Sequence, residues 1–217
     1  MPQGIILAFG WMLLFEPGIS APPSSATVFE DFDKLAVGNL PKEGWQMRGG
    51  DAKGIYRIAE ENGNRYLAAA DHGKSVQLFR KGGWSLTKTP RLRWNWRVHQ
   101  FPQGADERDK DKNDSAAALY VVFPRKWFVP EVIKYVWSAQ APEGTMIVRS
   151  SHFPLLVIRS GVVNPLKWVE EDRNVAEDFR KLFKRKASDP VAIGFLTDAN
   201  AVKGTASADY DNVRLSQ

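Results

Sequence analysis

The chain has 217 residues, of which 43% are hydrophobic, 25% charged and none cysteine. This is globular composition, and it excludes a collagen, a disordered tail, a disulfide scaffold and any zinc–thiolate or thiol chemistry. Thirty Lys and Arg against 25 Asp and Glu give a net charge of only +5, which gives no support to a nucleic-acid partner.

Residues Ile5 to Phe15 form one uncharged apolar run. It is shorter than the roughly 20 residues a membrane-spanning helix needs. Turn-forming and small residues follow, and Ser24-Ser25-Ala26 puts small side chains at −3 and −1 of a cleavage point. This is the pattern of a secretory signal peptide, although no Lys or Arg precedes the run. The sequence therefore predicts a signal peptide over 1–26 and a single domain over 27–217. That domain is expected to be periplasmic or secreted, monomeric and without a membrane span after cleavage.

Most of the remaining chain reads as short strands separated by turn signals. The predicted strands are 28–32, 54–59, 66–70, 75–80, 91–98, 116–123, 133–138, 146–150, 155–160, 167–172, 191–197 and 206–215. Turns are marked by Glu61-Asn62-Gly63-Asn64, Lys81-Gly82-Gly83, Pro102-Gln103-Gly104 and Pro142-Glu143-Gly144. One helix is predicted near 175–185. Asn174 with Glu177 has the capping-box spacing, and Val175, Phe179, Leu182 and Phe183 fall on one face. Many strands with one short helix predict an all-β fold, an antiparallel two-sheet β-sandwich of jelly-roll or concanavalin-like shape. The basic run Arg180 to Lys186 reads as a solvated helix end whose cations complement the helix dipole.

Alternation along strands sorts side chains by face. In 91–98, Leu92, Trp94, Trp96 and Val98 form a core stripe, while Arg93, Asn95 and Arg97 form a polar face that could line a groove. Sugars are bound by such mixtures, because aromatic faces stack on a pyranose and polar groups bond its hydroxyls. Trp127, Trp137 and Trp168 are the Trp residues to test as platforms.

Metal and catalytic signals are sparse. Asp109-Lys110-Asp111-Lys112-Asn113 begins like a calcium loop, but Asp114 and Tyr120 stand where an EF-hand needs Gly and Glu. If the first and last strands pair, Glu30 and Asp211 could share a structural Ca²⁺; no other cofactor is expected. A retaining β-glucanase pattern, Glu-x-Asp-x-x-Glu, starts at Glu170 but meets Val175 at its last position, so it fails.

Taken together, several segments carry a family resemblance. They are Phe29-Glu30-Asp31-Phe32; Pro41-x-x-Gly44-Trp45; Leu92-x-Trp94-x-Trp96-Arg97-Val98; Pro102-x-Gly104-Ala105-Asp106-Glu107-Arg108; Asn113-Asp114; Tyr135-Val136-Trp137; Arg173-Asn174-Val175 with Asp178; and Leu196-Thr197-Asp198-x-Asn200. The chain resembles a family of exported proteobacterial proteins known only as a domain of unknown function. The resemblance covers 28–215 and implies a β-sandwich with no established activity. It puts Arg97, Asp106, Glu107, Arg108, Asp114, Arg173, Asp178 and Asp198 among the family's recurring polar residues. Ala199-Asn200-Ala201 and Lys184 depart from its pattern.

Three readings follow. The first is a non-catalytic glycan-binding module of the periplasm or envelope, its ligand held by Arg97, Asp106, Asp114, Trp137, Trp168, Arg173, Asp178 and Asp198. The others are a structural envelope protein whose Arg and Asp residues pair with each other, and a glycan-cleaving enzyme using a carboxylate pair drawn from Asp106, Glu107, Asp114, Asp178 and Asp198, with Arg97 and Arg173 binding or tuning them.

Overall fold

The computed structural model describes residues 26–125, 129–161 and 167–217. In chain order the strands are β1 (Thr27–Glu30), β2 (Trp45–Arg48), β3 (Tyr56–Glu61), β4 (Asn64–Asp71), β5 (Gln77–Lys81), β6 (Arg91–Gln100) and β7 (Ala117–Phe123). Then come β8 (Glu131–Ser138), β9 (Met146–Ile147), β10 (Leu155–Ser160) and β11 (Val169–Asn174), the helix α1 (Val175–Phe183), β12 (Ala192–Leu196) and β13 (Ala206–Ser216). They form two facing sheets. One runs β11-β6-β13-β4-β3, with β1 added to β13; the other runs β2-β5-β12-β7-β8-β10-β9. The all-β sandwich expected from the sequence is the observed fold, and α1 is the one helix among the described residues.

The core lies between the sheets and follows from strand alternation. Leu92, Trp94, Trp96 and Val98 of β6 all point inward and are buried. They meet Leu119 and Val121 of β7, Tyr135 and Trp137 of β8 and Phe195 of β12 in one cluster. Trp94 and Tyr135 rings lie 5.6 Å apart across the sandwich, and Trp96 and Trp137 5.7 Å apart. Helix α1 closes one edge. Asn174 Oδ1 accepts from Glu177 N at 3.1 Å, the expected cap, and Phe179 drops against Phe123 at 4.6 Å.

Two details differ from the sequence reading. The sheets are not wholly antiparallel: β10 lies parallel to β8, with Leu155 opposite Lys134. Residues 139–154 supply the crossover that a parallel pair requires. These residues also lie over the outer face of the second sheet, where Ala118, Tyr120, Val136, Leu155 and Leu196 form a second buried cluster. Strand β2 is not anticipated either. It is a short edge strand with three exposed residues, and Trp45 alone is buried, so it carries almost no alternation signal.

Candidate functional site

The outer face of the first sheet holds the site. Arg57, Ala68, Asp209 and Arg97 stand side by side across β3, β4, β13 and β6, as the register pairs Arg57 with Ala68, Ala68 with Asp209 and Asp209 with Arg97. Ala68 and Ala70 contribute only methyl groups, so the sheet surface is low along β4. Tyr66, two residues along from Ala68, and Trp168, just before β11, stand up beside it. The result is a cavity of about 520 Å³ lined by Arg57, Tyr66, Ala68, Arg97, His99 and Asp209 among others, within the size range of ligand sites.

Arg97 is the pivot. It is 5% exposed although it lies on the outward face. Its guanidinium carbon sits 4.5 Å from the Trp168 ring centre and 5.1 Å from that of Tyr66. Its Nε donates to Asp209 Oδ2 and its Nη1 to Glu61 Oε2, both at 2.8 Å. His99 Nε2 lies 2.6 Å from the same Asp209 oxygen. Burial works against the Arg97 charge, but the hydrogen bonds to Asp209 and Glu61 outweigh it and hold its pKa above the ordinary value. The cation is therefore fixed, and it braces Trp168 from one side while the Tyr66 ring meets Trp168 edge-on at 5.4 Å.

A second cavity of about 400 Å³ lies on the same sheet face, and Trp168 lines this one. Its walls are Glu61, Asn62, Asn64, Asn95, Asp211 and Asn212 together with the Trp168 ring. Asn64 Nδ2 donates to Asp211 Oδ2 at 2.8 Å. Burial is the main cause pushing the Asp211 carboxyl up to about 6. One partly exposed indole thus lines the second cavity beside four amides and packs on Arg97 and Tyr66, which line the first.

The sequence-predicted residues are distributed over several places. Arg97 and Trp168 are brought together as described. Trp137 is not a platform: it is 1% exposed, it packs on Trp96, and its Nε1 donates to Gly161 O at 2.9 Å. The inward face of β8 carries it into the core, and no ring face is left for a ligand. Arg173, at the end of β11, and Asp178, on α1, meet where the helix closes the edge of the sandwich, and neither lines either cavity. Two guanidinium bonds of 2.9 and 2.7 Å join them, and Tyr135 Oη donates to the same carboxylate at 2.9 Å. Asp114 accepts from Ala201 N and Val202 N at 3.0 and 2.8 Å, and so ties two loops together. Asp198 sits next to it. Its Oδ1 accepts from Ser115 N at 2.7 Å, and burial pushes its carboxyl up to about 6. Asp106 pairs with Arg108 at 2.6 Å, and the hydrogen bond from Arg108 draws its carboxyl down to about 2. Trp127 and residues 1–25 lie outside the described residues.

Strands β1 and β13 do pair, with Thr27 opposite Leu215 and Glu30 opposite Val213. The two acids suggested for Ca²⁺ have separate partners. Glu30 accepts from Phe32 N and Arg80 Nε, at 2.9 and 3.1 Å, whereas Asp211 accepts from Asn64 and Asn212. Among the described residues no group of three or more His, Cys, Asp or Glu is placed to hold a metal, and no helix is long and apolar enough to cross a membrane.

Tyr66, Asp209, Asn64, Asn212 and Arg57 were not singled out by the sequence. Period-two alternation in β4 would have put Tyr66, Ala68 and Ala70 on one face, but a Tyr beside two Ala carries no chemical signature. The partnership of Asp209 with Arg97 exists only through strand register.

A family model described as "Protein of unknown function (DUF3047)" matches residues 43–214. No curated protein matches the sequence. Several solved structures are similar in chain course. A carbohydrate-binding module specific for non-crystalline cellulose, CBM28, is 15% identical, with 90% of this chain and 97% of that chain covered and a TM-score of 0.44. TmCBM61, in complex with beta-1,4-galactotriose, is 11% identical over 86% of this chain and 94% of that one, at 0.40. The xyloglucanase domain of NopAA, a type three effector from Sinorhizobium fredii in complex with cellobiose, is 9% identical over 83% and 97%, at 0.44. Likenesses of this strength transfer no ligand and no residue role.

Proposed function

We propose that this chain, which belongs to the DUF3047 family, is a non-catalytic glycan-binding module that works in the periplasm or outside the cell. The observation that carries the reading is Trp168, a half-exposed indole that lines a polar cavity on the outer sheet face and is braced by Arg97, which lines the neighbouring one. A pyranose presents an apolar C–H face to an indole and hydroxyls to its flanks, and the amides of Asn62, Asn64, Asn95 and Asn212, which line the cavity beside Trp168, can bond them. The five acids of the cleavage reading support binding rather than hydrolysis. Asp178 is held by Arg173, Asp106 by Arg108, Asp114 by backbone amides, Glu107 by Ser138 and Asp198 by Ser115 N and Ser75, and none lines either cavity. Export is supported by the apolar run Ile5–Phe15 and the small residues before Thr27.

The test is a glycan array covering plant and bacterial polysaccharides, followed by calorimetry on each binder and assay of reducing-end release. Binding without release is expected, and Trp168→Ala should weaken it by at least about tenfold, roughly 1.4 kcal/mol. Unchanged affinity in Trp168→Ala, or no binder at all, would refute the reading. Export is checked by the N-terminal mass of protein recovered from the cell exterior or periplasm, which should begin at Thr27.

A further inference from the structure

The outer sheet face is uneven in charge. The lining of the first cavity includes Lys53 and Arg57, both exposed. Among the described residues no carboxylate lies within 4 Å of either cation. Arg97, by contrast, is balanced by Asp209 and Glu61. The second cavity, which Trp168 lines, offers no cation: its charged lining residues are Asp211, which is buried, and Glu61, whose carboxylate already pairs with Arg97.

We propose that the glycan bound here is acidic, with its anionic substituent at the Arg57–Lys53 end and uncharged rings over Trp168 and the asparagines. This rests on the glycan reading and adds the ligand's charge and direction to it. Arg57 stands beside Ala68, whose methyl leaves the space over β4 open. Asp209 is two strands from Arg57, about 10 Å at the usual strand spacing, and it already serves Arg97 and His99. The Arg57 fork is thus available for two parallel hydrogen bonds to a planar carboxylate or to a sulfate, with Lys53 as a second positive charge. A neutral glycan would use neither. An acidic chain set in the opposite direction would place its charge in the second cavity, which offers no cation, so one orientation is favoured over the other.

The test measures calorimetric affinity of the purified chain for three oligosaccharides of equal length: a hexuronan fragment, the same fragment after carboxyl reduction, and a sulfated galactan fragment. At low salt the hexuronan should bind about tenfold or more tighter than its reduced form, and raising NaCl to 0.5 M should remove most of that gap. The Lys53→Ala/Arg57→Ala double variant should bring the hexuronan down to the affinity of the reduced form. Both side chains are exposed, and circular dichroism checks the fold. The sulfated fragment shows whether carboxylate or sulfate is the better anion. If the reduced fragment binds as well as the hexuronan, and the sulfated one no better, the charge proposal falls while the glycan reading stands. If no fragment or polysaccharide binds, both fall together.

Discussion

Replacing Asp198 with Asn tests the electrostatics of the loop end of the sandwich. Asp198 is 4% exposed, and burial is the main cause raising its carboxyl from 3.8 to about 6, with the nearby Asp114 adding to the effect and Lys134 opposing it. Between those two values the folded protein holds a proton that the unfolded chain has released. Folding takes up a proton in that window, so stability falls as pH rises through it and is level above about 7. Two pH units correspond to about 3 kcal/mol at 1.36 kcal/mol per unit. An Asn at this position keeps an acceptor for Ser115 N, and its amide can donate to Ser75 Oγ, which now bonds Asp198 Oδ2 at 3.1 Å. Asp198→Asn should therefore match the parent near pH 4 and exceed it by about 2–3 kcal/mol at pH 8. Urea unfolding followed by circular dichroism at pH 4 to 8 measures both. The slope that remains belongs to Asp211, raised to about 6 by burial in the same way, and to the buried Glu107, whose Oε1 has no hydrogen-bond partner. A variant less stable than the parent at pH 8, with the same pH slope, would show that Asp198 is ionised and favourable in the fold.

Further expectations follow from the packing. Arg173→Ala leaves Asp178, with a side chain 3% exposed, facing Tyr135 alone; it should lose about 2–3 kcal/mol, and Asp178→Asn in the same background should recover part of it in chemical denaturation. Trp137→Phe should lose about 1–3 kcal/mol through the vacated volume and the lost bond to Gly161 O, while the folded variant keeps its glycan affinity on the same calorimeter. Asn174→Ala removes the α1 cap and should lose about 1 kcal/mol, measured as a shift in the urea midpoint.

Local rules carried much of the fold. In β6 the apolar and polar residues alternate cleanly, so Trp94 and Trp96 could be assigned to the core and Arg97 to the outer face, as observed. Asn174 and Glu177 announced α1 because a cap is a contact between residues three apart. Alternation in β8 grouped Ile133, Tyr135 and Trp137 but did not say which face was inward. Every residue of β8 is buried, since the crossover after it covers the other side. Trp137 therefore read as a platform when it is a core residue.

The sequence by itself determined the β-sandwich, its main core stripe and the position of the helix, because periodicity and capping act over a few residues. It also singled out Trp168 and Arg97 as separate candidates. Only the tertiary structure decided that they pack together. Their meeting depends on β11 pairing with β6, and the fixing of Arg97 depends on Asp209, which β13 brings from more than a hundred residues away. Hydrogen-bond register between distant strands leaves no local trace in composition or spacing. The mild net positive charge is likewise a whole-chain number. The fold sets Arg57 and Lys53 in one cavity of the outer sheet face and no cation in the other, and it is this distribution, rather than the total, that a charged ligand would meet.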